Sequence, residues 1–181
     1  MVEIVNAVGS GFLDREFDLS AVSDELGSIA DFDPKKYPGM YVRFSEEAPL
    51  ITVYRTGKFI VTGAGSTKEL NSIKDEFTDL LESRGIIDEG DLNWFKLQNL
   101  VCTTVFSGDL NLNALAIGLG LEHTEYEPEQ FPGLIYRSPD LGCVVLIFST
   151  GKAVITGSSD LDEVEAAEDH LIEELSRLQL N

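Results

Sequence analysis

Apolar and polar residues along the chain follow two periods, and the succession occurs twice. Between Leu50 and Thr62, Ile51, Val53, Phe59 and Val61 point one way and Thr52, Tyr54, Ile60 and Thr62 the other. That alternation is the mark of paired strands, whose side chains change face at every residue. After Gly65 the period lengthens: Leu70, Ile73, Phe77, Leu80 and Leu81 recur at helical spacing. Ser66 and Glu69 form a capping box in front of this run, and Gly85 ends it. Further on, Val145, Ile147, Ala153 and Ile155 oppose Leu146, Phe148, Val154 and Thr156, and Leu161, Val164, Ala167, Leu171 and Leu175 follow at helical spacing. Upstream, the pattern predicts a strand over 3–10, a helix near 20–29 capped by Asp18 or Ser20, and strands around 39–44, 50–54 and 58–62. Thr56-Gly57 and Thr150-Gly151 mark tight turns between strands. Each half reads as strand, helix, strands and long helix, with antiparallel pairing through short turns, which is an α+β class.

The two halves also match residue by residue. "KKYPGMYVR" (35–43) returns as "EQFPGLIYR" (129–137), and "VYRTGKFIVTG" (53–63) as "IFSTGKAVITG" (147–157), both at an offset of 94. "VNAV" (5–8) meets "QNLV" (98–101) at an offset of 93, so one residue is inserted between. Two copies are too few for a solenoid. They predict a pair of pseudo-twofold repeats, residues 1–90 and 91–181, joined near Gly90-Asp91.

An antiparallel sheet with one wet face alternates apolar and polar residues. These strands are apolar on both faces, relieved only by small hydroxyls. The long helices can cover one face. The other would then present Tyr54, Ile60, Leu146, Phe148 and Val154 as a contiguous apolar surface, the mark of a binding site. Burial between two helix layers, or inside a dimer, satisfies the same periodicity. Repetition favours the binding surface, because two matching halves would build one continuous face.

Charge alters the picture. The chain of 181 residues carries 13 basic and 32 acidic side chains, a net charge of −19. Such acidity ordinarily argues against nucleic acid, since phosphate binding draws on Lys and Arg. It is also the composition of a protein kept soluble at molar salt, where charges are heavily screened. Residues 1–90 hold 9 basic and 17 acidic groups and residues 91–181 hold 4 and 15, so the bias is global. No apolar run is long enough to span a membrane, and no cationic segment precedes the first apolar residues as in a secretory signal. Cys102 and Cys143 form no CxxC pair and read as buried packing residues of a reduced, intracellular protein. Catalytic motifs fail on inspection. The TGK triplets lack the glycine and the hydroxyl residue of a phosphate loop, and His123 and His170 have no partners at metal-ligand spacing. No enzyme, metal or cofactor is expected.

At "YEPEQFPGLIYR" with "VVLIFSTGKAVITG", and at the echo "FDPKKYPGMYVR" with "LITVYRTGKFIVTG", the chain resembles the TATA-box-binding proteins of archaeal type, and its acidity resembles that of an extreme halophile. The resemblance covers essentially the whole sequence. It implies a saddle with a curved ten-stranded antiparallel sheet, four helices on the convex face, and a concave face seated on the minor groove of A·T-rich promoter DNA. By position it implies that Val8, Ile60, Val101 and Val154, with Thr52 and Leu146, touch the groove. Asn6 and Asn99, with Thr62 and Thr156, would lie near the centre of the site. Phe131 and Phe148 match the kinking wedges, whose first-half places are taken by Tyr37 and Tyr54 rather than phenylalanine. Arg43, Lys58, Arg137 and Lys152 match basic positions at phosphates, and Glu127 and Glu129 match the contact with transcription factor B. The resemblance thus implies a general initiation factor of the archaeal cytoplasm, at the nucleoid, that kinks promoter DNA and recruits transcription factor B and, through it, RNA polymerase. Whether the free protein forms a homodimer through the same face is left open by the sequence. Two other readings stay open: a duplicated protein-interaction module using its apolar sheet face, and a repair-enzyme domain on a related fold, for which this chain holds no catalytic half.

Overall fold

A computed structural model describes residues 1–106, 108–138 and 140–178. Contacts divide the chain into two compact units, one of Asn6–Gln98 and one of Met1–Val5 with the segment from Asn99 onward. The division cuts the first strand of each copy at the same place, Val5/Asn6 and Gln98/Asn99, as the repeat requires.

The Asn6–Gln98 unit contains β1 (Glu3–Leu13, from Asn6), α1 (Leu19–Leu26), β2 (Ala30–Asp31), β3 (Gly39–Val42), β4 (Leu50–Tyr54), β5 (Lys58–Ala64), α2 (Thr67–Ser83) and the first part of β6 (Leu92–Val105). Its strands lie in the order β2-β3-β4-β5-β1, every pair antiparallel. A register shift between Ala7 and Gly9 interrupts the pairing of β1 with β5. α1 starts where Asp18 accepts the backbone N–H groups of Ser20 and Ala21, so Asp18 is the cap and the expected Ser20 is not. It stops earlier than expected, at Leu26, and a short 3₁₀ turn, Gly27–Ile29, completes it. In α2 the capping box forms: Ser66 Oγ accepts the Glu69 N–H at 3.1 Å, and the Glu69 carboxylate reaches back to the N–H of Gly65 at 2.7 Å.

The second unit holds the rest of β6, α3 (Leu112–Leu119), β7 (Thr124–Glu125), β8 (Leu134–Tyr136), β9 (Val144–Ile147), β10 (Lys152–Thr156) and α4 (Leu161–Arg177). Its strand order, β6-β10-β9-β8-β7, is again antiparallel throughout. Asn111 caps α3 through the N–H of Ala114, and Asp160 caps α4 through the N–H of Asp162.

Each unit buries one sheet face under its long helix. In the first, Ile51, Val53, Phe59 and Val61 are at most 2% exposed, and Phe59 stacks on Phe95 of β6 and is tilted against Phe77 of α2. In the second, Val145, Ile147, Ala153 and Ile155 are at most 1% exposed beneath Val164, Ala167 and Leu171 of α4. Burying large apolar side chains of this kind stabilises by roughly 1.5–3 kcal/mol each. Glu168 is the one charged residue buried on α4. Burial alone would raise its pKa, but hydrogen bonds from the Met1 ammonium at 2.7 Å and from the Thr104 hydroxyl outweigh this and hold it below the usual carboxylate range. Both cysteines are buried, as expected, and burial pushes their thiols up.

The TG turns recur with the same geometry. Gly57 has φ +90° and Gly151 φ +80°. A Cβ on Gly57 would lie 2.0 Å from the Leu13 carbonyl oxygen, and one on Gly151 would lie 2.5 Å from that of Phe106. Backbone cannot yield as a side-chain tip can. Gly57→Ala and Gly151→Ala are therefore each expected to cost well over ~1 kcal/mol. Gly27→Ala, at φ +64° with open space around it, pays for the backbone conformation alone. Denaturant titration of the three variants in KCl should rank them in that order.

Candidate nucleic-acid interface

The face that the helices leave uncovered carries the expected residues. In the first unit Thr52, Tyr54, Ile60 and Thr62 are all half-buried, in contrast to the sealed residues that alternate with them. Thr52 pairs opposite Ile60 across β4 and β5, and Tyr41 of β3 lies opposite Thr52. In the second unit Leu146 pairs opposite Val154 and Ile135 opposite Leu146, while Val101 pairs with Thr156 and Thr103 with Val154. Val8, Val101, Leu146 and Val154 are half-buried, and Val105 is 67% exposed.

Both asparagines are held by the backbone of a residue far away in sequence, and that contact orients them. Asn6 Oδ1 accepts the N–H of Gly63 at 2.8 Å, and Asn99 Oδ1 accepts the N–H of Gly157 at 2.9 Å. A backbone N–H can only donate, so the amide oxygen is pinned on that N–H and the NH₂ group turns away from it. Asn99 Nδ2 also donates to Thr156 Oγ1 at 3.1 Å, joining the expected pair. Beside them Gln98, itself exposed, donates to Ser10 Oγ at 2.9 Å. The face therefore presents fixed hydrogen-bond donors set among apolar side chains.

The duplicated Pro-Gly motif acquires a physical reason here. Its glycines lie under the two aromatic pairs. A Cβ on Gly133 would stand 2.8 Å from the ring of Phe131 and 3.1 Å from that of Phe148, and one on Gly39 would stand 2.8 Å from Tyr37 and 3.2 Å from Tyr54. The preceding turns match as well. The Asp33 carbonyl accepts the N–H groups of Lys36 and Tyr37, and the Glu127 carbonyl those of Gln130 and Phe131. Phe131 and Phe148 meet edge to face, centroids 5.8 Å apart, and both rings are half-buried on the uncovered face. Tyr37 and Tyr54 are tilted at 6.2 Å, and their hydroxyls hydrogen-bond to each other at 2.6 Å.

The basic residues are not equivalent. Lys58, Lys152 and Arg43 are exposed and make no ion pair among the described residues; Arg43 donates to the Glu46 carbonyl at 3.2 Å. Arg137 instead pairs with Glu125, Nε to Oε1 at 3.2 Å. Glu127 and Glu129 are exposed on the loop before Phe131. Behind Glu127 lies a groove of about 700 Å³ between α3 and β7–β8, edged by Ile117 and Leu121, which are 71% and 69% exposed.

Reading the sequence missed several residues of this face: Tyr41, Ile135, Gln98, Ser10 and Thr103. Strand parity could have found Tyr41, which alternates with the core residues Met40 and Val42. Gln98 gave no such signal, because strand alternation would set it on the face opposite its neighbour Asn99.

The family model for "Transcription factor TFIID (or TATA-binding protein, TBP)" matches residues 1–83 and 94–178. The chain is 46% identical over 178 residues to TATA-box-binding protein C of Halobacterium salinarum, covering 98% of each chain. It is 41% identical over 179 residues to TATA-box-binding protein 1 of Haloferax volcanii, covering 99% of this chain and 94% of that one. The solved structure of Methanococcus jannaschii TBP superposes with a TM-score of 0.83 at 35% identity, covering 97% of this chain and 98% of the other. The fold is thus the expected α+β arrangement, with ten antiparallel strands and four helices in two matching repeats. On the strength of its matched repeats, its uncovered sheet face and these relatives, the chain belongs to the TATA-box-binding protein family in its archaeal form, and is a DNA-binding transcription factor rather than an enzyme.

Proposed function

We propose that the uncovered face binds the minor groove of A·T-rich promoter DNA, kinks it, and presents the complex to transcription factor B and, through that factor, to RNA polymerase. The proposal rests chiefly on the pinned asparagines. With Asn6 and Asn99 held by the N–H groups of Gly63 and Gly157, the Asn6 NH₂ and the Asn99 N–H not given to Thr156 are left to donate. The minor groove of A·T pairs offers only acceptors, adenine N3 and thymine O2. Apolar Val8, Ile60, Val101, Leu146 and Val154 around them give a guanine amino group nothing to bond with. The ring pairs at Phe131–Phe148 and Tyr37–Tyr54 are the wedges. Unstacking costs a few kcal/mol per step, and burying two large rings per kink offsets it. Lys58 and Lys152 can meet phosphates as they stand, Arg43 on leaving the Glu46 carbonyl and Arg137 on leaving Glu125.

Residues 1–90 and 91–181 are the two repeats in this reading, and the family matches at 1–83 and 94–178 bracket that junction. Glu127 and Glu129, beside the apolar groove edged by Ile117 and Leu121, form the site for transcription factor B. The protein works at the nucleoid, in the cytoplasm. A second reading, protein binding or homodimerisation through the same face, draws on the exposed Val105 and the half-buried aromatic rings. Fluorescence-monitored bending of an A·T-rich duplex in molar KCl separates the two. Bending supports the first, while a DNA-silent protein that dimerises supports the second. Glu127→Arg with Glu129→Arg is expected to lose transcription factor B in a gel-shift assay while the duplex stays bound. Full ternary assembly by that variant would remove the loop from the partner site.

A further inference from the structure

The two ring pairs have different chemistry at their tips. The second repeat offers Phe131, Phe148 and Ile135, with no polar side-chain atom among them. The first repeat offers Tyr37, Tyr54 and Tyr41 at the matching places. Tyr37 stacks on Tyr41, centroids 5.3 Å apart at 7°, and its hydroxyl lies 2.6 Å from that of Tyr54. That mutual bond uses one hydrogen and one lone pair, so the two hydroxyls keep one donor and several acceptor lone pairs. The hydrogen bond with Tyr37, then burial, then the nearby Tyr37 and Tyr41 rings push the Tyr54 pKa up to about 12. The Tyr54 phenol therefore stays neutral across the ordinary pH range.

We propose that the Tyr37–Tyr54 hydroxyl pair makes the first-repeat end of the interface tolerant of a guanine amino group at the contacted step, whereas the Phe131–Phe148 end excludes it. The inference rests on the minor-groove reading above. A guanine amino group pressed against phenylalanine loses water and gains no acceptor, and a buried unsatisfied donor is penalised. Against the tyrosine pair the same group meets a phenolic lone pair. An A·T step leaves those lone pairs without a donor. The faces of the two repeats would then read different bases, which sets the direction in which the protein lies on a site.

Inosine isolates the group at issue, because an I·C pair lacks only the amino group that G·C shows in the minor groove. On one A·T-rich duplex, each position is replaced in turn by G·C or by I·C, and affinities are measured in molar KCl. At steps under the phenylalanine pair, I·C should bind on the order of tenfold more tightly than G·C, and at steps under the tyrosine pair less than about threefold more tightly. Tyr37→Phe with Tyr54→Phe should raise the ratio at the tyrosine end to about tenfold. Phe131→Tyr with Phe148→Tyr should lower it at the other end, giving a second test should the first variant fold poorly. Ratios unchanged by either pair, on duplexes that still bind, would overturn this proposal and leave the minor-groove reading standing. No difference between I·C and G·C at any position would overturn both.

Discussion

Replacing Phe131 and Phe148 together by alanine should abolish bending of an A·T-rich duplex and weaken its binding by roughly 10²–10⁴-fold. Both rings sit half-buried on the uncovered face, braced against each other over Gly133, and neither belongs to the sealed core. Their loss thus removes wedge area without opening a cavity beneath α4. Each ring contributes about 1.5–3 kcal/mol when it passes from water into an apolar contact, and two rings acting at one step give the range stated. Bending should vanish more completely than binding, because unstacking is driven by the inserted side chains while the flat apolar contacts around Val101 and Val154 remain. Fluorescence energy transfer across end-labelled DNA reads bending, and anisotropy reads affinity. A thermal melt shows that the variant still folds. A variant that folds and still bends DNA would show that these rings are not wedges.

Raising KCl through the molar range should leave affinity flat or increase it, the reverse of ordinary DNA binders. A protein that neutralises 6–10 phosphates loses about 10³–10⁵ in affinity between 50 and 200 mM salt through counterion release. Here the candidate face holds four matched cations, one of them already committed to Glu125, on a chain of net charge −19. Long-range repulsion from the DNA outweighs what the few cations gain until salt shortens its reach, to about 3 Å at 1 M. Apolar contact, the main attraction left, is not weakened by that screening. Titrations at several KCl concentrations measure the slope of log affinity against log salt. A strongly negative slope would mean that phosphate pairing dominates after all, while leaving the fold untouched.

Much of the fold was legible beforehand because its signals are local. β4 was expected over 50–54 and spans Leu50–Tyr54, and the Ser66–Glu69 box caps α2 as read. The short β2 and β7 were missed, since two residues cannot show a period. β1 runs on to Leu13 past the expected end at Ser10. Glycine suits positions 9 and 11 of this strand, because the rings of Phe95 and Phe59 occupy the space a side chain there would need. The candidate site was legible as a set of matched positions. Its interactions were not: Arg137 with Glu125, and Gln98 with Ser10 some 88 residues away, depend on chain segments brought together only by folding.

By itself the amino-acid order determined the two faces of every long strand and their repetition, because the pleat turns each successive side chain to the opposite side whatever lies beyond it. It could not determine whether both apolar faces would be sealed within the chain. Packing of α2 and α4 decided that, leaving Ile51 and Val145 at 0% exposed and their neighbours Thr52 and Leu146 half open. The tertiary structure also fixed the asparagine amide oxygens on the N–H groups of Gly63 and Gly157 and tied the two tyrosine hydroxyls together. Those are choices of hydrogen-bond partner, and a partner distant in sequence exists only once the chain has folded.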